Sequence, residues 1–200
     1  MTPETFRRDK FLRASGYNLY VWAVVNLLVT WPPWSALSGR AWHPALAVFY
    51  VIVLLAAGVF VSVLNDNRVA KMWGTPSETP VVDAAAFWGP TLGLGLVLTV
   101  IFSIRGPVAY VQPAWLLLVG AGYLTWGNFG VPEFRWFGRS LIAAGAVAAL
   151  FVDSATSLEL PSLGALFVWM LFMGGLWLPF GAYVNRRYVH PVGPGPAGPS

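Results

Sequence analysis

Cysteine is absent from the 200 residues. Disulfide frameworks, thiolate metal sites, thiol nucleophiles and disulfide redox chemistry are therefore excluded. Histidine is nearly absent, with only His43 and His190, which leaves almost no scope for paired imidazole ligands. Charge is scarce too. Asp, Glu, Lys and Arg make up 10% of the chain, against about 25% in an average soluble domain, while 57% is hydrophobic. A water-soluble fold of this size has no room to hide so much apolar surface. The pI near 9.7 would suggest nucleic acid in a soluble chain, but the twelve basic residues are scattered between apolar runs and form no patch. Nucleic acid is not an expected partner.

What remains is apolar runs of membrane-crossing length. A hydrocarbon core about 30 Å thick takes about 20 helical residues, and six such runs stand between charges and turn residues. They lie at about 17–36, 43–64, 84–104, 108–129, 137–153 and 162–185. Trp31-Pro32-Pro33-Trp34 is expected to stop the first, and Pro44 suits the first turn of the second. The expected fold is all-α, a polytopic six-helix membrane bundle over 17–188. It is preceded by an amphipathic segment (1–16) and followed by a Pro/Gly-rich tail (189–200) with nothing to bury.

The basic residues orient this bundle, because Lys and Arg collect on the cytoplasmic side. With the N-terminus inside, all the lysines and arginines except Arg40 and Arg105 fall on that side, and both termini are cytoplasmic. Arg in preference to Lys, with abundant Ala, Gly and Pro, points to a GC-rich bacterial genome and hence to a bacterial inner membrane. At the N-terminus, Phe6-Arg7-Arg8-Asp9-Lys10-Phe11-Leu12 is similar to a twin-arginine export signal. Two residues, not one, separate its arginine pair from Phe11-Leu12, and a retained first span keeps the count even. Residues 2–14 therefore suggest a short interfacial helix.

Residues 125–140, TWGNFGVPEFRWFGRS, join the fourth and fifth runs. Trp126, Phe129, Phe134, Trp136 and Phe137 suit headgroup depth, and Arg135 and Arg139 can snorkel to phosphates. Gly130 and Pro132 supply the turn. Glu133 is placed to pair with an arginine or to favour the start of the next helix. The link from Asn65 to Asp83 is the longest loop, and its Thr75-Pro76-Ser77-Glu78 can cap a surface helix.

Chemistry inside a bundle usually needs ionisable groups within the spans, and the six apolar cores hold none. Ser35 or Ser38 with His43 lacks both a G-x-S-x-G elbow and an orienting acid. No catalytic, cofactor or metal residues are expected. The polar or lining candidates are Asn26 in the first span, Asn128 at the end of the fourth, and Pro90 and Pro113, which are positioned to kink their helices. An interhelical hydrogen bond is the simpler use of Asn26. Gly89 and Gly93 form a G-x-x-x-G pair beside Gly95, while Ser140, Ala144 and Ala148 line one stripe of the fifth run, which should be central.

Phe87-Trp88-Gly89-Pro90 followed by Gly93 resembles a short stretch of the third helix in the six-span amide and urea channel family. The resemblance covers a small part of the chain and supports no assignment. The reading that best fits the residues is a non-catalytic accessory, regulatory or scaffold membrane component. Its partners would be membrane lipids and another membrane protein or a second copy. The alternative is a passive channel for a small neutral solute, working through amide, aromatic and glycine linings.

Overall fold

The computed structural model describes residues 3–40, 42–72, 80–105, 107–129, 132–152 and 162–188. Among them there is no strand. The helices are α1 (Pro3–Val29), α2 (Trp31–Leu37), α3 (Pro44–Met72), α4 (Pro80–Arg105), a 3-10 turn (Val108–Tyr110), α5 (Val111–Phe129), α6 (Pro132–Leu150), α7 (Leu163–Trp169), a π-turn (Met170–Gly175) and α8 (Trp177–Tyr188). Among the described residues three segments are long and apolar enough to cross a membrane. They are Ala45–Arg68 in α3, Val108–Gly127 ending in α5, and Leu163–Arg186 from α7 through α8. α4 contributes a shorter apolar run, Trp88–Ile104. In α6 the charges Glu133, Arg135 and Arg139 occupy the first half, so its apolar run begins only at Ser140.

Several boundaries differ from the sequence expectation for local reasons. α1 is one continuous helix from Pro3 to Val29, with no break between a surface segment and a span. Nothing near residue 15 breaks it, since Gly16 serves a close contact with α8 and not a turn. The helix ends before the two prolines. Thr30 turns its N–H to the Leu27 carbonyl at 3.2 Å, and its hydroxyl donates to the same oxygen at 2.5 Å. Pro32 and Pro33 then fall in the first turn of α2, where a missing N–H costs little. The prolines therefore start a second helix as well as excluding the first. Pro113 likewise sits in the first turn of α5 and makes no kink there. α3 runs on to Met72 and α4 begins at Pro80, so the expected Asn65–Asp83 link is largely helical. Its Thr75-Pro76-Ser77-Glu78, the expected turn residue Gly130 and the expected tail over 189–200 lie outside the described residues.

Antiparallel neighbours pair at α5–α6, α1–α3 and α4–α5, and α1 also packs along α8. The core is aromatic. Tyr123 is enclosed by Phe137 at 5.0 Å, Phe134 at 5.3 Å and Trp177 at 5.6 Å between ring centroids, and Phe137 stacks on Phe180 at 4.3 Å. α6 forms the centre of this core, burying Phe134, Phe137, Leu141, Ala144 and Ala148 along one stripe. Ser140 lies off that stripe and returns its hydroxyl to the Phe137 carbonyl at 2.7 Å. Ser162 joins α6 to α7, accepting from Ala165 N–H at 3.3 Å as a helix cap and donating to the Phe151 carbonyl at 2.7 Å.

Candidate functional site

A polar clasp at one end of α3 joins it to α1. Asn65 donates through Nδ2 to Asn18 Oδ1 at 2.9 Å, and Asn18 donates through its own Nδ2 to Asp66 Oδ1 at 3.0 Å. The three side chains are half-buried. A carboxylate and two amides form a linear relay in which Asn18 serves as both acceptor and donor. Toward the other end, Tyr50 donates to the Leu28 carbonyl at 3.2 Å, and Gly58 admits the Trp22 and Val25 side chains. Sequence reasoning missed the clasp. Asn65 and Asp66 fall just beyond the apolar run, and no local pattern pairs them with a residue 47 or 48 positions away.

Asn26 is buried where α1 meets the π-turn. Because Thr30 N–H has turned to Leu27, the Asn26 carbonyl loses the donor it would have in an unbroken helix. It accepts instead from Trp169 Nε1 at 3.2 Å. The expected interhelical bond therefore exists, but the Asn26 backbone makes it. The side-chain Nδ2 has no hydrogen-bond partner among the described residues. The facing segment is irregular as well. Leu176 N–H reaches back five residues to the Leu171 carbonyl at 2.8 Å, and Gly174 lets Leu27 approach its backbone.

The other lining candidates do not gather around Asn26. Pro90 faces outward from the interior of α4, whereas Pro113 is buried at the start of α5 beside Gln112, whose Oε1 is unpartnered among the described residues. Asn128 lies in the last turn of α5, and its side chain is outside the described residues.

The turn between α5 and α6 divides into two faces, and this corrects the expectation of a uniformly interfacial aromatic cluster. Phe134 and Phe137 are buried in the core at 1% and 6% exposure. Trp126 is half-buried against Trp88 and Phe134. Arg135, Trp136 and Arg139 point outward, with the Arg139 guanidinium carbon 4.9 Å from the Trp136 ring centroid, and the Phe129 side chain lies outside the described residues. Glu133 occupies the first turn of α6, where the helix dipole favours a carboxylate. The i, i+3, i+7 spacing of Phe134, Phe137 and Leu141 is the signal that separates these faces.

Of the expected glycine contacts, Gly95 is internal. The Trp115 ring packs over it and donates through Nε1 to Thr99 Oγ1 at 2.8 Å. Gly89 and Gly93 are exposed, and a Cβ added to either would meet nothing within 4 Å. Trp42 and His43, just before α3, and Leu46, Phe49, Tyr50 and Val53 in its first turns line an open apolar groove. His43 Nδ1 accepts from Ala45 N–H at 3.3 Å and Ser38 donates to the Ser35 carbonyl at 2.9 Å, so each is engaged locally. Among the described residues no group of three or more His, Asp or Glu is placed to hold a metal. No family model, curated protein or solved structure matches the chain.

Proposed function

We propose that the chain is a six-span bacterial inner-membrane protein, with both termini cytoplasmic, that acts without catalysis as an accessory or scaffold component. It would hold a partner helix against the outer face of α4. The observation that carries this reading is the direction of Gly89 and Gly93. A G-x-x-x-G pair forms a shallow groove that lets another helix approach closely in lipid, and among the described residues nothing lies within 4 Å of a Cβ added at either glycine. Val97 and Ile101 continue the stripe at four-residue intervals and are also exposed, giving a β-branched ridge below the groove. The partner is another membrane protein or a second copy of this chain.

The test is native mass spectrometry of the full chain extracted from its host in mild detergent, compared with the Gly89→Leu/Gly93→Leu double variant. Because a Cβ added at either position meets nothing within 4 Å among the described residues, the variant should fold. A defined complex in the native chain that is lost in the variant supports the reading. A complex that survives the double substitution, or a native chain found only as a monomer, counts against it.

A passive path for a small neutral solute has one observation in its favour. The buried amides Asn26 and Gln112 each keep an atom without a partner among the described residues. Glycerol-driven swelling of proteoliposomes containing the chain tests it, and swelling no faster than empty vesicles removes it.

A further inference from the structure

The outward face of α6 changes chemistry along its length. Arg135, Trp136 and Arg139 are exposed in its first half. Ala143, Ala146, Val147 and Leu150 are exposed in its second half, and no charge lies beyond Arg139. The opposite face is buried throughout against the core, so this change is not imposed by internal packing. A surface that passes from guanidinium and indole to aliphatic groups within about one helical turn matches the boundary between headgroups and acyl chains.

The basic half is also pre-arranged. Arg135 and Arg139 are four residues apart, so they lie on one face with about 5–6 Å between Cβ atoms. Arg139 rests on Trp136, which remains 70% exposed, and this stacking limits the conformations the guanidinium must give up on binding. Both guanidinium-bearing side chains are exposed on the outer face of α6. Two exposed guanidinium forks on one face suit the planar, bidentate recognition of phosphate oxygens.

We propose that Arg135, Trp136 and Arg139 form a headgroup site for the phosphodiester of an anionic lipid, with Val147 and Leu150 contacting its acyl chains. The inference rests on the reading of α6 as a membrane-crossing helix and not on partner docking at α4. A free phosphate shares the headgroup chemistry but has no acyl chain for the second half of the face.

The experiment is native mass spectrometry of the full chain from nanodiscs of equimolar phosphatidylcholine and phosphatidylglycerol. The native chain should retain phosphatidylglycerol in excess of phosphatidylcholine. Arg135→Gln/Arg139→Gln should return the retained lipids to the bulk ratio, while Arg135→Lys/Arg139→Lys should keep part of the preference. Equal retention by the native chain and the Gln variant overturns the proposal. So does removal of the preference by millimolar-range inorganic phosphate at constant ionic strength, which would show a phosphate site and not a lipid site. The crossing of α6 is checked separately with nitroxides on Val147→Cys and Leu150→Cys, made practical by the absence of native cysteine. Labels that collide with oxygen and not with an aqueous nickel chelate place these residues in lipid. The reverse result rejects the crossing whatever the lipid ratio shows.

Discussion

The α5–α6 hairpin and α3 form opposite extremes of packing within one chain. Of the three membrane-length segments among the described residues, the one in α3 is the most apolar, yet 6% of an 18-residue window in it is buried, against 44% of the corresponding window in Val108–Gly127. The difference lies in how closely backbones approach. A Cβ on Gly138 would stand 2.6 Å from the Gly120 carbonyl oxygen, and one on Gly120 would stand 2.8 Å from the Ile142 nitrogen. The two helices thus meet backbone to backbone over several turns. α3 presents Phe49, Ile52, Val53, Phe60 and Leu64 outward and is fastened mainly by Gly58, the Tyr50 bond and the Asn18–Asn65–Asp66 clasp. Apolarity decides that a helix can enter lipid, but lipid tails compete equally for its side chains. Close approach and hydrogen bonds decide which helices it holds.

The same substitution in two places breaks this comparison most sharply. Gly138→Ala forces a methyl group into backbone atoms of α5 that cannot swing aside, and should destabilise the chain by about 1–3 kcal/mol or more. Gly93→Ala meets open space and gains up to about 1 kcal/mol of helix propensity, so stability should be unchanged or slightly higher. Thermal unfolding followed by the fluorescence of the 11 tryptophans distinguishes them. Equal effects at the two positions would remove the distinction between inner and outer glycines.

A smaller effect is expected at the clasp. Asn18→Ala leaves the Asn65 amide and the Asp66 carboxylate without their partner, at a cost of about 1–3 kcal/mol. The effects of Asn18→Ala and Asp66→Ala should be non-additive in a double-mutant cycle. Additive losses would mean that the two side chains do not act together.

Asn26→Leu should have the smallest effect, within about 1 kcal/mol of the native chain. It deletes a buried donor that has no described partner and leaves the backbone bond to Trp169 intact. A loss of several kcal/mol in the same unfolding measurement would show that the carboxamide is satisfied in the folded protein.

These sites also show how far the residues alone could be read. Run length located most helices and Pro44 opens α3 as expected, whereas Pro132, read as a turn residue, opens α6 ahead of the expected start at 137. The small-residue stripe of α6 showed that it is central, since Ala144 and Ala148 are buried. The direction of a glycine was not legible. Gly89, Gly93 and Gly95 occupy one short stretch of α4, but only Gly95 is internal, and the bulk of Trp115 on another helix decides this. The clasp was hidden for a similar reason, as its members meet only after α1 and α3 have paired. The division of the α5–α6 turn was present in the spacing of its phenylalanines but was masked by the general tendency of aromatics to mark interfaces.

Spin-label distance distributions in nanodiscs test most directly the claim that close approach, more than apolarity, fixes how firmly each helix is held. One nitroxide pair would sit on exposed Ala121→Cys and Ala143→Cys across α5–α6, and another on exposed Val24→Cys and Phe60→Cys across α1–α3. The α5–α6 distribution should be narrow and insensitive to Asn18→Ala, whereas the α1–α3 distribution should be broader and widen further in that variant. Equally narrow distributions, both unchanged by Asn18→Ala, would contradict the account.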